Sequence, residues 1–225
     1  MSRLLFTIAL IATAWSLASV GYFRLAPWLG AEIGYNDAPI IYAFYYAAWA
    51  LVVYLVFRRA FIGWAGPAIP QGAVVATATV AVIFTGYALI VLPRLPATEW
   101  TWDQTPVEFY YASSWYFLPK SVEILFQQIL IAALVLALNS LQLPLRRIMG
   151  LTALLFGGFH LTLALNGDNP LYVARYALAA TIFGAVVPWL LLRKRLGFLI
   201  SYAIHWSYYA LDIVVIHYVF AAPPG

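Results

Sequence analysis

The 225 residues are 65% hydrophobic and 9% charged, with a mean hydropathy of +0.89, which excludes a soluble globular domain and requires a polytopic membrane protein. No cysteine is present, so disulfides, thiolate metal sites and a cysteine nucleophile are excluded. The formal charge of +4 is scattered through short loops, a pattern that sets membrane orientation and speaks against nucleic acid as a partner.

A spanning helix needs about 20 mostly apolar residues. The chain offers about seven such stretches, centred near Leu10, Ala47, Val82, Leu130, Leu155, Ala185 and Ala210. The first, from Leu4 to Phe23, follows Arg3 and ends in the small residues Ala18, Ser19 and Gly21, features that also suit a signal peptide. We read it as an uncleaved first span. Interruptions fall at Trp28 to Pro39, Arg58 to Gln71, Pro93 to Pro106, Asn139 to Arg147, Asn166 to Leu171 and Arg193 to Arg195. No internal repeat or soluble insertion breaks the series, so the expected architecture is all-α: one membrane domain over residues 1–225, built as a bundle of about seven transmembrane helices.

Sorting the charges by loop orients the bundle. Arg3, Arg58, Arg59, Arg146, Arg147, Arg193, Lys194 and Arg195 fall on one side of the alternation, and Arg24, Arg94, Lys120 and Arg175 on or near the other. The bias places the amino terminus in the cytoplasm and the carboxyl terminus outside. Glu32, Asp37, Glu99, Asp103, Glu108 and Asp168 all land on the outer side, leaving Glu123 and Asp212 as the acids inside spans. The expected location is integral to the membrane, a bacterial inner membrane.

Residues 94–118 form the longest connection, on the outer side, and together with Lys120 close by they hold Trp100, Trp102, Phe109, Tyr110, Tyr111, Trp115, Tyr116 and Phe117. Two readings stand: an aromatic belt with an interfacial helix, which we prefer, and a lid or substrate guide beside the next span.

Ionisable groups at membrane depth cost about 2.5–3.5 kcal/mol or more on insertion scales, so they are kept for pairing or for substrate and ion handling. Glu123 is one. With a helix beginning near Phe109 to Tyr111, it lies 12–14 residues in, at roughly 20 Å. Gln127 follows four residues later on the same face, and Lys120, three residues earlier, is an alternative partner that would neutralise it. His160 ends Phe156-Gly157-Gly158-Phe159-His160; adjacent glycines in a helix make sense where another backbone approaches closely. Taken alone, a buried histidine is more often a hydrogen-bonded core residue than a catalyst. His205 lies about halfway along the last span, with Tyr209 and Asp212 on nearly the same face. His217, twelve residues further and about 120° round the helix, reads as interfacial.

Read together, one glutamate and two histidines on three helices form a kit for hydrolysis. A carboxylate can take a proton from water, while imidazoles orient that water, protonate the leaving amine or stabilise the oxyanion. The same Glu123, His160 and His205 could hold Zn²⁺ with an open position, although H-E-x-x-H is absent. Spacing alone does not separate the glutamate-driven from the metal-driven mechanism.

Over residues 119–214 the chain resembles the CPBP intramembrane proteases, also called the Abi or CAAX-protease family, which includes the type II prenyl-protein endopeptidases. The family's first motif, a proline, two adjacent glutamates, then phenylalanine and arginine, is matched by Pro119, Val122-Glu123 and Phe126-Gln127. Its second, phenylalanine and histidine four residues on, is matched by Phe156 and His160. Its later pattern is matched by Gly184, the basic turn Arg193 to Arg195, Gly197 and His205. The resemblance implies an intramembrane endopeptidase in which Glu123 activates water with His160 and His205, supported by Gln127, Phe156, Tyr209 and Asp212.

The departures bear on that activity. The first glutamate of the pair, the water-activating base in the family, falls on Val122; the arginine falls on Gln127, and the asparagine four after the last histidine is Tyr209. The alternative is therefore a pseudoenzyme: a non-catalytic scaffold, assembly factor, immunity protein or subunit of a membrane complex. The expected partners are the lipid bilayer and either a membrane protein or peptide substrate or a membrane complex.

Overall fold

The computed structural model describes residues 2–30, 34–65, 72–98, 107–166 and 169–219. Within hydrocarbon every backbone polar group must be satisfied inside its own segment, so long apolar runs become helices. The long ones are α1 (Ser2–Trp28), α2 (Pro39–Ala65), α3 (Ala73–Gly86), α5 (Phe117–Ser140), α6 (Leu145–His160), α7 (Pro170–Arg193) and α8 (Gly197–Val219). A short α4 (Val107–Tyr110) lies ahead of α5. Among the described residues seven helical stretches are long and apolar enough to cross a membrane, α3 reaching that length through a π-turn at Tyr87–Val91 that runs on to Arg94. The expected all-α seven-span bundle is what the structure has.

The boundaries differ in places. The first span runs on to Trp28, and α2 continues past Arg58 and Arg59 to Ala65, because aromatic and arginine side chains reach the interface from inside a helix. Proline and asparagine set the start of α7: Asn169 accepts the Leu171 amide at 2.9 Å and Pro170 opens the first turn.

The core is centred on α5. Its most apolar stretch is 72% buried, against 6% for those of α1 and α3, which face outward over most of their surface. Against α5 pack α2 along its length and, less extensively, α1, α6, α7 and α8, with α6 lying along α7. The α6–α7 contact explains one of the paired glycines. A Cβ on Gly157 would stand 2.0 Å from Thr181 Oγ1 and 3.1 Å from its Cα, and one on Gly184 would stand 2.9 Å from Ala153 Cα and Thr152 O. Close approach of two backbones requires both. Gly158 faces open space and plays no part in it.

Two features near the start of α5 differ from the sequence expectation among the described residues. Among the described aromatics of this segment Phe109, Tyr110, Tyr116 and Phe117 are buried in the bundle, while Tyr111 and Trp115 face outward as a belt would. Phe109 lies 6.5 Å from the Tyr176 ring and 6.3 Å from that of Tyr209, so these aromatics cover one end of the core instead of lining its rim. Second, α5 begins at Phe117, after a break at Tyr111 to Ser113 where the Ser113 hydroxyl accepts the Trp115 amide. Glu123 is therefore less than two turns into its helix, about 9 Å, not 20 Å. Trp100, Trp102, Glu32, Glu99, Asp103 and Asp168 lie outside the described residues.

Candidate functional site

Three residues of α5 build the site. Lys120, Glu123 and Gln127 stand at i, i+3 and i+7 and so share one helical face. Lys120 Nζ donates to Glu123 Oε2 at 2.8 Å, and Tyr35 Oη, from the α1–α2 connection, donates to the same oxygen at 2.9 Å. Gln127 Nε2 donates to Oε1 at 2.9 Å. A carboxylate offers about four lone-pair positions; three are taken by these donors. Lys120 is buried and Glu123 mostly so, with side-chain exposures of 8% and 14%, so solvent screens the pair little. The Lys120 ammonium also lies 3.9 Å from the centroid of the Tyr209 ring, a cation–π contact at short range.

The histidines are held differently. His160 Nδ1 lies 2.8 Å from Phe156 O, the carbonyl one turn back on its own helix, and its ring meets Trp15 of α1 at 5.8 Å. Phe156 stands between helices, 4.7 Å from the His160 ring and 6.3 Å from that of His205. His205 is buried against Phe183 and stacks on Tyr209 at 5.7 Å, and its Nδ1 has no hydrogen-bond partner among the described residues. The fold thus brings Glu123, His160 and His205 into one region where α5, α6 and α8 meet, joined through Lys120, Tyr209 and Phe156. It does not bring them into a shared hydrogen-bond network.

A metal fits poorly here. Among the described residues no three His, Asp or Glu side chains gather as a ligand set. The reason is visible at each member: an ammonium already neutralises Glu123, and His160 directs Nδ1 to backbone. The suggestion of Zn²⁺ held by Glu123, His160 and His205 is not carried by this geometry.

Asp212, itself buried, forms a second ion pair, with the partly exposed Arg175. Its carboxylate pairs with Arg175 Nη1 at 2.5 Å and accepts from Tyr176 Oη at 2.9 Å, tying α8 to α7. It supports the bundle and does not reach Glu123 through any direct bond. Val122, in the position where the resemblance expects a base, is partly buried against the apolar core. His217 directs Nδ1 to Pro96 O at 2.8 Å, fastening α8 to the segment after α3, and stays outside the site, although it is more buried than an interfacial residue.

No family model, curated protein or solved structure matches the chain.

Sequence spacing made Lys120 and Gln127 visible as partners of Glu123. Tyr35 left no signal, being 88 residues away in a connection between spans. Arg175 was visible only as an outer charge. Gln128 and Ser201, joined by a 2.6 Å hydrogen bond between α5 and α8, are a further pair that no spacing pattern reports. Removing only the Tyr35 hydroxyl tests how far the connection holds the carboxylate. Tyr35→Phe is expected to cost about 1–2 kcal/mol, read as a lower unfolding midpoint in detergent titrations with helicity unchanged.

Proposed function

We propose that this chain is a non-cleaving membrane scaffold built on an intramembrane-protease-like frame, a subunit or assembly factor of a membrane complex. Its amino terminus lies in the cytoplasm and its carboxyl terminus outside, in a bacterial inner membrane. The observation that carries this reading is the state of Glu123. A general base must hold a water or a substrate proton within hydrogen-bond reach, and this carboxylate instead accepts from Lys120, Tyr35 and Gln127. Val122 in the place of the family's base and His160 turned to its own backbone point the same way. The buried aromatics Phe109 and Tyr116 add a cover on the outer side.

The test compares membranes from cells that carry or lack the gene by labelling protein N-termini and identifying them by mass spectrometry. The expected result is no terminus that depends on the chain, together with co-purification of the same membrane partners by wild type and Glu123→Gln. A terminus formed with wild type and lost with both Glu123→Gln and His205→Ala would overturn the reading.

One observation favours the peptidase reading as a second: the unpartnered His205 Nδ1, buried beside the region where Glu123 and His160 meet. Under that reading Glu123→Gln, His160→Ala and His205→Ala each abolish processing of a membrane substrate while the protein stays folded.

A further inference from the structure

The end of the bundle opposite this site is strongly basic and has no acid. Arg58, Arg59, Arg146, Arg147, Arg193, Lys194 and Arg195 lie in or beside its turns, and no Asp or Glu occurs between residues 38 and 98, 124 and 167, or 169 and 211. Both ion pairs among the described residues lie elsewhere, at Glu123 and Asp212. The ordinary accounts of such charge are orientation of the chain and compensation of helix dipoles. Three helices, α2, α5 and α7, end here, and each C-terminus carries roughly half a negative charge. Seven side-chain charges exceed that several-fold, so the face keeps a large positive excess.

Part of this charge lines a cleft. Between the ends of α2, α5 and α7 and the start of α6 lies an opening of about 640 Å³, lined by Arg59, Arg193 and Asn139 and, more deeply buried, by Leu136 and Ile148. Its size is that of a small-molecule site. No hydrogen bond within the described residues engages the two guanidinium groups or the Asn139 amide. The Ser140 hydroxyl, also on the wall, spends its proton on Ala137 O and is not counted as a donor. Trp64 Nε1 donates to Leu191 O at 3.1 Å and fixes α2 to α7 beside the opening. Charged forks over an apolar floor at a membrane surface match an amphiphile with an anionic head.

We propose that this cleft binds the phosphate group of an anionic membrane lipid, with Arg59 and Arg193 on the phosphate oxygens, Asn139 as a neutral donor, and the lipid's first acyl carbons on Leu136 and Ile148. The proposal stands apart from the scaffold reading and survives its failure.

The test uses the purified full chain in zwitterionic micelles and native mass spectrometry with short-chain phosphatidylglycerol, phosphatidylcholine and sodium phosphate as probes. Wild type is expected to retain phosphatidylglycerol over phosphatidylcholine. Arg59→Gln/Arg193→Gln should weaken retention roughly tenfold or more, while Arg146→Gln/Arg147→Gln, equal in charge but off the cleft wall, should change it less than about twofold. Gly63→Leu supplies a variant that leaves charge and fold alone. A Cβ at Gly63 meets nothing within 4 Å, so the leucine enters the opening and should displace the lipid. Equal losses in the two arginine pairs, or full retention by Gly63→Leu, would overturn the site. Displacement of phosphatidylglycerol by an equal concentration of inorganic phosphate would assign the pocket to free phosphate and overturn the lipid.

Discussion

Lys120→Met is expected to destabilise the folded protein by about 3–5 kcal/mol, because it leaves the Glu123 carboxylate buried without its counter-charge. The magnitude separates this pair from the other polar contacts of the bundle. Neutral interhelical hydrogen bonds in membranes average about 0.6 kcal/mol, since polar groups find other partners in the unfolded reference state. An unpaired ion has no such recourse. Lys120→Met/Glu123→Gln should recover most of the loss, as the amide keeps an acceptor for Tyr35 and no charge remains to be compensated. Reversible unfolding in mixed micelles, followed by circular dichroism, measures all three proteins. A single variant as stable as wild type would show that Glu123 finds solvent, and with it the freedom to hold a catalytic water.

The second large effect concerns the α6–α7 contact. Gly184→Ala is expected to cost about 1–3 kcal/mol, the range for overpacking a tight site, because its new methyl meets backbone of α6 that no rotamer change can clear. Gly158→Ala, facing open space, should be neutral or stabilising by up to about 1 kcal/mol, the helix-propensity difference. The same unfolding assay reads both. The contrast matters for the site, since forcing α6 away from α7 moves Phe156 and His160 relative to His205. Equal effects from the two substitutions would mean that the helices are not in backbone contact.

The seven spans could be read from the sequence because hydrocarbon leaves a long apolar run no alternative to the helix. Pairs along one helix were legible for a related reason: Lys120, Glu123 and Gln127 are neighbours at any helical spacing. Contacts between helices were not. Arg175 and Asp212 are 37 residues apart and Tyr35 and Glu123 are 88 apart, and nothing in a one-dimensional pattern aims one at the other. The aromatic loop misled because tyrosine and phenylalanine are equally at home in a lipid interface and in a protein core. The late start of α5 had one signal in the sequence, Pro119, which a helix tolerates only in its first turn, while Tyr111-Ala112-Ser113 contains neither glycine nor proline to mark the break itself.

Among the described residues the buried Lys120 and the buried Asp212 each lie against an opposite charge, and that pairing governs the response to an electric field. A lone charge crossing a bilayer feels about 2.3 kcal/mol per 100 mV. Lys120 and Glu123, with their charged atoms 2.8 Å apart, present a dipole less than a tenth as long as the roughly 30 Å hydrocarbon core, so the same voltage acts on it with at most about 0.2 kcal/mol. Arg175 with Asp212 behaves alike. Energising or collapsing the membrane potential should therefore leave the resting arrangement of these helices where it is, and any voltage sensitivity would have to begin with the separation of one of these pairs.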